Sequence, residues 1–519
     1  MNIISSLKSQ CESNPDRSWI FFNEKSFSFG QIESMTNSIA NGLKKIGISK
    51  NSTVGVMLPN CPEFIISWLG INKTGGIMVP FNIALKEKDL SYQINHSEIR
   101  VMFVHAFLLE QVLKVKGQCP NLQQLIVVGG EEGKEILKFE NLLADSPKDP
   151  GTPVDDLDVM EIIYTSGTTG NPKGVVWKHG ALTIVANEVA DFVEITSRDR
   201  LMVVLPLFHG NAQLSTAMSL VKGASMVIIP KFSATQFWDM ARKYKCTEVN
   251  LLGPVLTMLY NQPPREDDSN NPINLVFCAA TPPTIHEAFE ERFNLTIVEG
   301  YGLTETGINT LNPVDKSKRK IGSIGLPLRY NEVEILDENC NILEPEEEGE
   351  ICVRPIGELE RFWKIEYYKD PESTKILWRG GWLHTGDMGK KDKDGFLYFL
   401  DRIKDIIRRR GENISSQEVE GVLIKHPQVL EVAVLGVPSE IGEEEVLALI
   451  VPKDPANPPD SYELKKYCAS MIADFKVPRY FKYVNELPKT PTGRVKKSEL
   501  KKIKDKLLTR AIDTEGGNK

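Results

Sequence analysis

Residues 164–174 read Y-T-S-G-T-T-G-N-P-K-G, a loop rich in glycine and hydroxyl groups that ends on one lysine and is entered from the apolar Met160, Ile162 and Ile163. Thr165, Ser166, Gly167, Thr168, Thr169, Gly170 and Lys173 can aim backbone N–H groups, hydroxyls and an ammonium at a polyphosphate. Gly167 and Gly170 permit the φ > 0 turns that gather amides around an anion. The chemistry indicated is that of a nucleotide. The spacing is not that of a Walker A loop, G-x-x-x-x-G-K-[ST]: two residues separate the glycines, a proline precedes the lysine, and Gly174 stands where the Mg²⁺-holding Ser or Thr would be. A short glycine-rich match is by itself as compatible with a plain turn between strands, so other segments decide.

Those segments are P-L-F-H (206–209), Y-G-L-T-E-T (301–306), G-E-I-C-V-R (349–354), W-L-H-T-G-D (382–387), D-R-I-K-D-I-I-R-R-R-G-E-N-I (401–414) and P-K-T-P-T-G-R-V (488–495). With the first loop they resemble, in order over nearly the whole chain, the motifs of the AMP-forming adenylating superfamily: acyl-CoA synthetases, peptide-synthetase adenylation domains and beetle luciferases. The likeness is closest to the crotonobetaine/carnitine-CoA ligase-like branch. It implies an α/β fold with a large N-terminal adenylating body, residues 1–403, and a small mobile C-terminal α/β lid, residues 404–519. It further implies ATP, Mg²⁺ and coenzyme A as cofactors or substrates, and a small-molecule carboxylic acid as the group activated.

The reaction explains why such residue types are needed. A carboxylate is a poor electrophile, and its attack on the α-phosphorus of ATP brings an anion onto a polyanion, so catalysis is mostly charge neutralisation and alignment. By resemblance, Ser166, Thr168, Thr169 and Lys173 hold the β- and γ-phosphates, Glu305 holds Mg²⁺, and Thr304 lies beside the α-phosphate. Tyr301, with Gly302 after it, resembles the residue stacked on adenine, and Ala279, Ala280 and Thr281 the opposite wall of the purine slot. Asp387 stands where the ribose hydroxyls are held, with Arg402 reaching ribose or α-phosphate. Taken singly, Tyr301 would more often be a half-buried core aromatic and Glu305 a solvated carboxylate. His209 is expected to gate the acid's path rather than act as a base, because the carboxylate is already ionised at neutral pH.

For thioester formation the resemblance places a hinge at Lys404 and a pantetheine tunnel along 410–414, with Arg410, Gly411 and Glu412. One departure stands out. Where the family's last motif has a lysine after its glycine, this chain has Arg494, which keeps the charge and changes the geometry; Lys496, two residues on, is the alternative. The family's specificity walls correspond to residues 209–214, 253–254, 278–281 and 304–308, with Asn211, Gln213 and Asn309 as polar contacts, which suits a short or medium acyl group. In the carnitine branch the residue two places after the histidine is acidic, whereas here it is Asn211; the loss of that charge counts against a quaternary ammonium substrate, but aromatic faces could still hold such a cation, and a crotonobetaine- or carnitine-like acid stays open beside the short or medium acyl group. Loading of a carrier protein, ligation of an aryl acid and nucleotide sensing without catalysis are the competing readings.

The chain must supply elements that hold these residues. Its 519 residues, 41% apolar and 25% charged, exceed one core and are expected to split into domains. A net charge of −8 argues against nucleic acid or an anionic membrane as partner, and the lysine-rich stretch 496–506 reads as a solvated helix face. Eight scattered cysteines without a C-x-x-C pair indicate a reduced, cytoplasmic chain without a zinc site. No secretory h-region or apolar stretch of about 18 residues indicates export or a transmembrane segment; homo-oligomerisation is left open. Ile32, Met35, Ile39, Leu43 and Ile46 recur at helical spacing. The runs 101–104, 125–128, 201–204, 226–229 and 275–278 read as buried strands in an α/β alternation, with loops at 145–156 and 262–272. After a turn at 392–395 a fresh set follows: a helix with Val419, Val422 and Leu423, then strands at 432–437 and 446–451.

Overall fold

The computed structural model describes residues 2–165, 171–409, 412–439, 444–489 and 495–515. Its contacts divide the chain into two compact units, Met1–Val333 with Val353–Gly381, and Glu334–Cys352 with Trp382–Lys519. The α/β alternation is present in both. Among the described residues no helix is long and apolar enough to cross a membrane.

The strands of the first unit used below are, in chain order, β1 (Ser18–Phe22), β2 (Lys25–Ser28), β3 (Thr53–Met57), β4 (Ile77–Pro80), β5 (Val101–His105), β6 (Gln124–Val128), β7 (Ile136–Lys138), β8 (Val159–Thr165), β9 (Lys173–Lys178), β10 (Arg200–Val203), β11 (Ser225–Ile228), β12 (Glu248–Leu252), β13 (Leu275–Ala279), β14 (Thr296–Leu303), β15 (Gly307–Leu311) and β16 (Leu326–Pro327). Among the described residues they form a seven-stranded sheet, β7-β6-β5-β3-β4-β8-β9, and a nine-stranded sheet, β16-β15-β14-β13-β12-β10-β11-β1-β2. Every apolar run expected as a strand is one.

The apolar runs are continuous because helices cover both faces of these mostly parallel strands. Met102, Val104, Leu125 and Ile162 pack with Val112 and Val115 of the helix Leu109–Lys116 in one cluster. The helix Phe29–Lys45 begins at a capping box: Ser28 Oγ accepts from Gln31 N at 3.2 Å, and Gln31 Oε1 accepts from Ser28 N at 2.8 Å. Its buried Ile32, Ile39 and Leu43 fall on one face, as their spacing predicts.

In the nine-stranded sheet β10, β12, β13 and β14 run parallel. Their carboxyl ends therefore open on the same edge, where open α/β sheets bind ligands. His209, Gly253, Ala280 and Thr304 all lie just past those ends.

In the second unit, the strands Val429–Pro438 and Glu444–Pro452 pair antiparallel. Val434, Val446 and Ala448 point into one apolar cluster; Ala433, Leu435, Leu447 and Leu449 point into another. Both clusters lie wholly within residues 407–511, so residues 404–519 carry a core of their own. The expected cut at residue 403 nevertheless falls inside the second unit, because the strands Trp382–Lys391 and Leu397–Arg402 are paired there and add to its contacts. The basic stretch 496–506 differs from the solvated face expected. Lys497 is mostly buried and pairs with Glu420 at 2.7 Å, and Lys501 pairs with Asp405 at 2.8 Å.

Glu248 on β12 is buried, and neither of its carboxylate oxygens has a partner among the described residues. Burial, and then the nearby Asp199, push its pKa up to about 8 from 4.5. A carboxyl whose folded value is raised takes up a proton on folding across that window, so its contribution is present at low pH and is lost as pH rises through about 8. Thermal melting followed by circular dichroism should therefore show a falling Tm from pH 6 to 9, and a shallower fall in Glu248→Gln; parallel slopes would contradict this.

Candidate active site

The segment Y-G-L-T-E-T lies on the hairpin of β14 and β15, where Tyr301 faces Thr310 and Gly302 faces Ile308, with a bulge between the two pairs. The bulge leaves Thr304 and Glu305 at the tip, where two tryptophans fix the backbone. Trp177 Nε1 donates to Thr304 O at 2.9 Å, and Trp363 Nε1 donates to Glu305 O at 3.2 Å. The Glu305 side chain is oriented by Tyr367, whose hydroxyl donates to Oε1 at 3.0 Å. Burial and the adjacent carboxylate push the Tyr367 phenol well above its usual range, so it stays a donor.

Lys173 opens β9 opposite Thr165, the last residue of β8. Its Nζ lies 4.9 Å from the Tyr367 ring centre and donates to Ser373 Oγ at 2.7 Å. One tyrosine thus joins the ammonium and the carboxylate that the sequence separates by more than a hundred residues. Lys173, Ser373, His96 and Tyr92 border a cavity of about 250 Å³. Ser166, Gly167, Thr168, Thr169 and Gly170 lie outside the described residues.

The segment Ala279 to Thr281 continues β13. Ala280 is exposed and adopts φ +60, a left-handed conformation uncommon for a residue with a Cβ. What holds it is Glu299 on β14: Oε1 accepts from Ala280 N at 2.8 Å and Oε2 from Thr281 N at 3.0 Å. Burial pushes the Glu299 carboxyl up to about 8, against the pull of those N–H groups. Gly253 completes the arrangement, since a Cβ there would stand 1.9 Å from Ala280 O. Tyr301 is 8% exposed. The two walls expected around a purine are therefore neighbours in the sheet.

His209 precedes the helix Gly210–Val221, and loss of hydration pushes its pKa down to about 4. The ring is neutral at neutral pH, which fits a gate and not an acid. Two of the expected pocket contacts are engaged within the protein instead. Gln213 is buried and donates to Leu207 O at 3.2 Å; Asn309 donates to Thr306 Oγ1 at 2.6 Å and accepts from Asn331 at 3.2 Å.

In the second unit Asp387 is buried and pairs across the hairpin with Arg402, Nε to Oδ1 at 2.7 Å. The turn before it is braced by Glu350. Oε1 accepts from Gly386 N at 2.8 Å, while Oε2 lies 2.7 Å from His384 Nδ1, with Cys352 Sγ 3.4 Å from the same nitrogen. Gly386 has φ +71, which the bracing makes necessary. The cluster of Glu350, Cys352 and His384 was invisible to a search for close ligand spacing, since cross-strand neighbours build it. Asp401, also buried, accepts from Ser416 Oγ at 2.6 Å and from Arg402 N at 2.7 Å. Lys404 sits in the single turn Ile403–Asp405, and its carbonyl accepts from Lys501 Nζ. Lys496 pairs with Glu499 at 3.0 Å. Arg410, Gly411 and Arg494 lie outside the described residues, as does the side chain of Glu412.

Residues 7–360 match the model of the AMP-binding enzyme family, and residues 418–494 match its C-terminal domain; the chain belongs to that family. It is 33% identical over 489 residues to the crotonobetaine/carnitine–CoA ligase of Salmonella arizonae, covering 92% of this chain and 93% of that one. Among solved structures, the anthranilate CoA ligase AuaEII in complex with anthranoyl-AMP superposes with a TM-score of 0.89 at 25% identity, covering 97% of each chain. ATP-bound MatB from Rhodopseudomonas palustris gives 0.88 at 25% identity, covering 98% of this chain and all of that one. The protein is an enzyme of the AMP-forming acyl-CoA ligase class.

Because Glu299 alone accepts from two successive backbone N–H groups, Glu299→Gln should leave one of them facing an amide N–H₂. The expected cost is about 1–3 kcal/mol of stability, together with weaker AMP binding. Calorimetric unfolding and AMP titration check this, and unchanged values in both would contradict the bracing role.

Proposed function

We propose that this chain couples a short or medium carboxylic acid to AMP at the expense of ATP and then passes the acyl group to coenzyme A. The observation that carries the reading is the joint placement of Lys173, Tyr367 and Glu305. A cation and an oxygen ligand for a hard divalent ion share one phenol side chain, Lys173 Nζ 4.9 Å from its ring centre and Glu305 Oε1 3.0 Å from its hydroxyl. A polyphosphate with Mg²⁺ needs that pairing of charges. The donor set fits the ion, since a carboxylate and phosphate oxygens are hard ligands; Glu305 would hold Mg²⁺, which would supply charge neutralisation for the polyphosphate.

The chain's own residues do the rest. Lys173 faces the leaving pyrophosphate, and Thr304 lies beside the phosphorus attacked. The Ala279–Thr281 wall and Tyr301 confine the base, and Asp387, held by Arg402, accepts ribose hydroxyls. The acid arrives ionised, so no base is required, in keeping with a neutral His209. The separate core of residues 404–519 supports Lys404 as a hinge. Arg494 is proposed to neutralise the acid and α-phosphate, because Lys496 is engaged with Glu499.

The reading is tested by CoA-dependent AMP release with a panel of acids, run beside an acyl-carrier protein. Release only with the carrier would make the chain a stand-alone adenylation enzyme. Two variants examine the parts. Arg494→Ala should slow pyrophosphate exchange by about 100-fold and Lys496→Ala should leave it near the parent rate; the reverse pattern would transfer the role to Lys496. Lys404→Pro should spare pyrophosphate exchange and slow thioester formation, whereas equal loss in both would remove the hinge from that position.

A further inference from the structure

Of the polar side chains expected near the acyl group, one pair keeps unused hydrogen-bonding capacity. Asn250 lies near the carboxyl end of β12 and is only 2% exposed. Its Nδ2 donates to Asn211 Oδ1 at 3.0 Å, while its own Oδ1 is buried with no partner among the described residues. Asn211 stands in the first turn of the helix Gly210–Val221, two residues after His209. Three residues beyond Asn250 the strand reaches Gly253, which touches the Ala280 carbonyl of the purine wall. Gln213 and Asn309 have partners within the protein; the Thr281 hydroxyl is also buried with no partner among the described residues, but it belongs to the wall assigned to the purine, which leaves the amide pair to face an acyl group.

A buried carbonyl oxygen without a donor is unfavourable, and a ligand that supplies the donor recovers the difference. A cationic group would need more than a dipole, because an ammonium removed from water calls for an ionised partner. The amide pair itself carries no charge. Glu248, on the same face of β12, and Glu299 both have pKa values pushed up to about 8 by burial, and Glu299 is engaged with the Ala280 and Thr281 amides.

Resting on the ligase reading above, we infer that the Asn211–Asn250 amide pair selects an acid whose acyl chain is itself uncharged and carries a hydrogen-bond donor, a hydroxyl or an amide. A hydroxyl suits the pair best, since it donates to Asn250 Oδ1 and can accept from the Asn211 amide. The quaternary ammonium acids named for the relatives are disfavoured by the same arrangement.

The test is kcat/KM for CoA-dependent AMP release on matched acids of about four to eight carbons: plain, hydroxylated at each position, terminally amidated, and bearing a trimethylammonium group. One hydroxylated or amidated acid should exceed its plain counterpart by about tenfold or more, and the cationic acids should not exceed the plain ones. In Asn250→Leu that ratio should fall toward one whatever the absolute rate, with retained AMP binding showing that the variant is folded. The paired change Asn211→Asp with Asn250→Asp should raise the cationic acids relative to the plain. Activity on plain acids with no donor preference, or a wild-type preference for the cations, overturns the inference and leaves the ligase reading intact. Failure to release AMP with every acid and either acceptor removes the ligase reading and this inference with it.

Discussion

Two oxygens of one buried carboxyl group, accepting from the successive amides of Ala280 and Thr281, hold the centre of the large unit together. A chain that bends through φ +60 at a non-glycine residue turns its N–H groups away from the sheet ladder, and without an acceptor they would be left unpaired. Glu299 supplies that acceptor from the next strand, and Gly253 leaves room from the strand on the other side. Three neighbouring strand ends are thereby set in register. β14 runs on directly from Glu299 into Tyr301 and the hairpin whose tip carries Glu305.

The second unit repeats the device. Glu350 accepts from Gly386 N and braces His384, Asp401 holds the start of the helix Ser416–Leu423, and Asp387 meets Arg402 across a hairpin. In each case a carboxylate close to the chemistry is occupied with shaping backbone or orienting a partner. Of the groups that contact substrates in this reading, Lys173 and Glu305 are both held by Tyr367, which is assigned no such contact. Such preorganisation matters where charge must be met without solvent reorganisation.

Much of this was legible from one dimension. The strand runs at 101–104, 201–204 and 275–278 and the helix with Ile32, Ile39 and Leu43 followed from period and apolar continuity, because helices cover both faces of the sheets. The motifs around Lys173, Glu305 and Asp387 identified the class. Tyr367, Ser373, Trp177 and Trp363 were missed; the run Y-Y-K-D-P-E-S-T at 367–374 announces only a helix cap, which Asp370 indeed provides. Lys497 was read as solvated since its neighbours are lysines, yet its partner Glu420 lies on another helix.

Local sequence by itself determined where strands and helices begin and which enzyme class the ordered motifs define, because those properties depend on residues close together in the chain. Only the tertiary structure decided which polar groups are satisfied. Asn211, Gln213 and Asn309 are all polar amides with partners within the protein, but the partner of Asn211 is a buried amide whose own oxygen has none among the described residues. The physical reason is that hydrogen-bond satisfaction and desolvation are set by neighbours that strand pairing brings from tens of residues away, and no spacing in the chain encodes their distance.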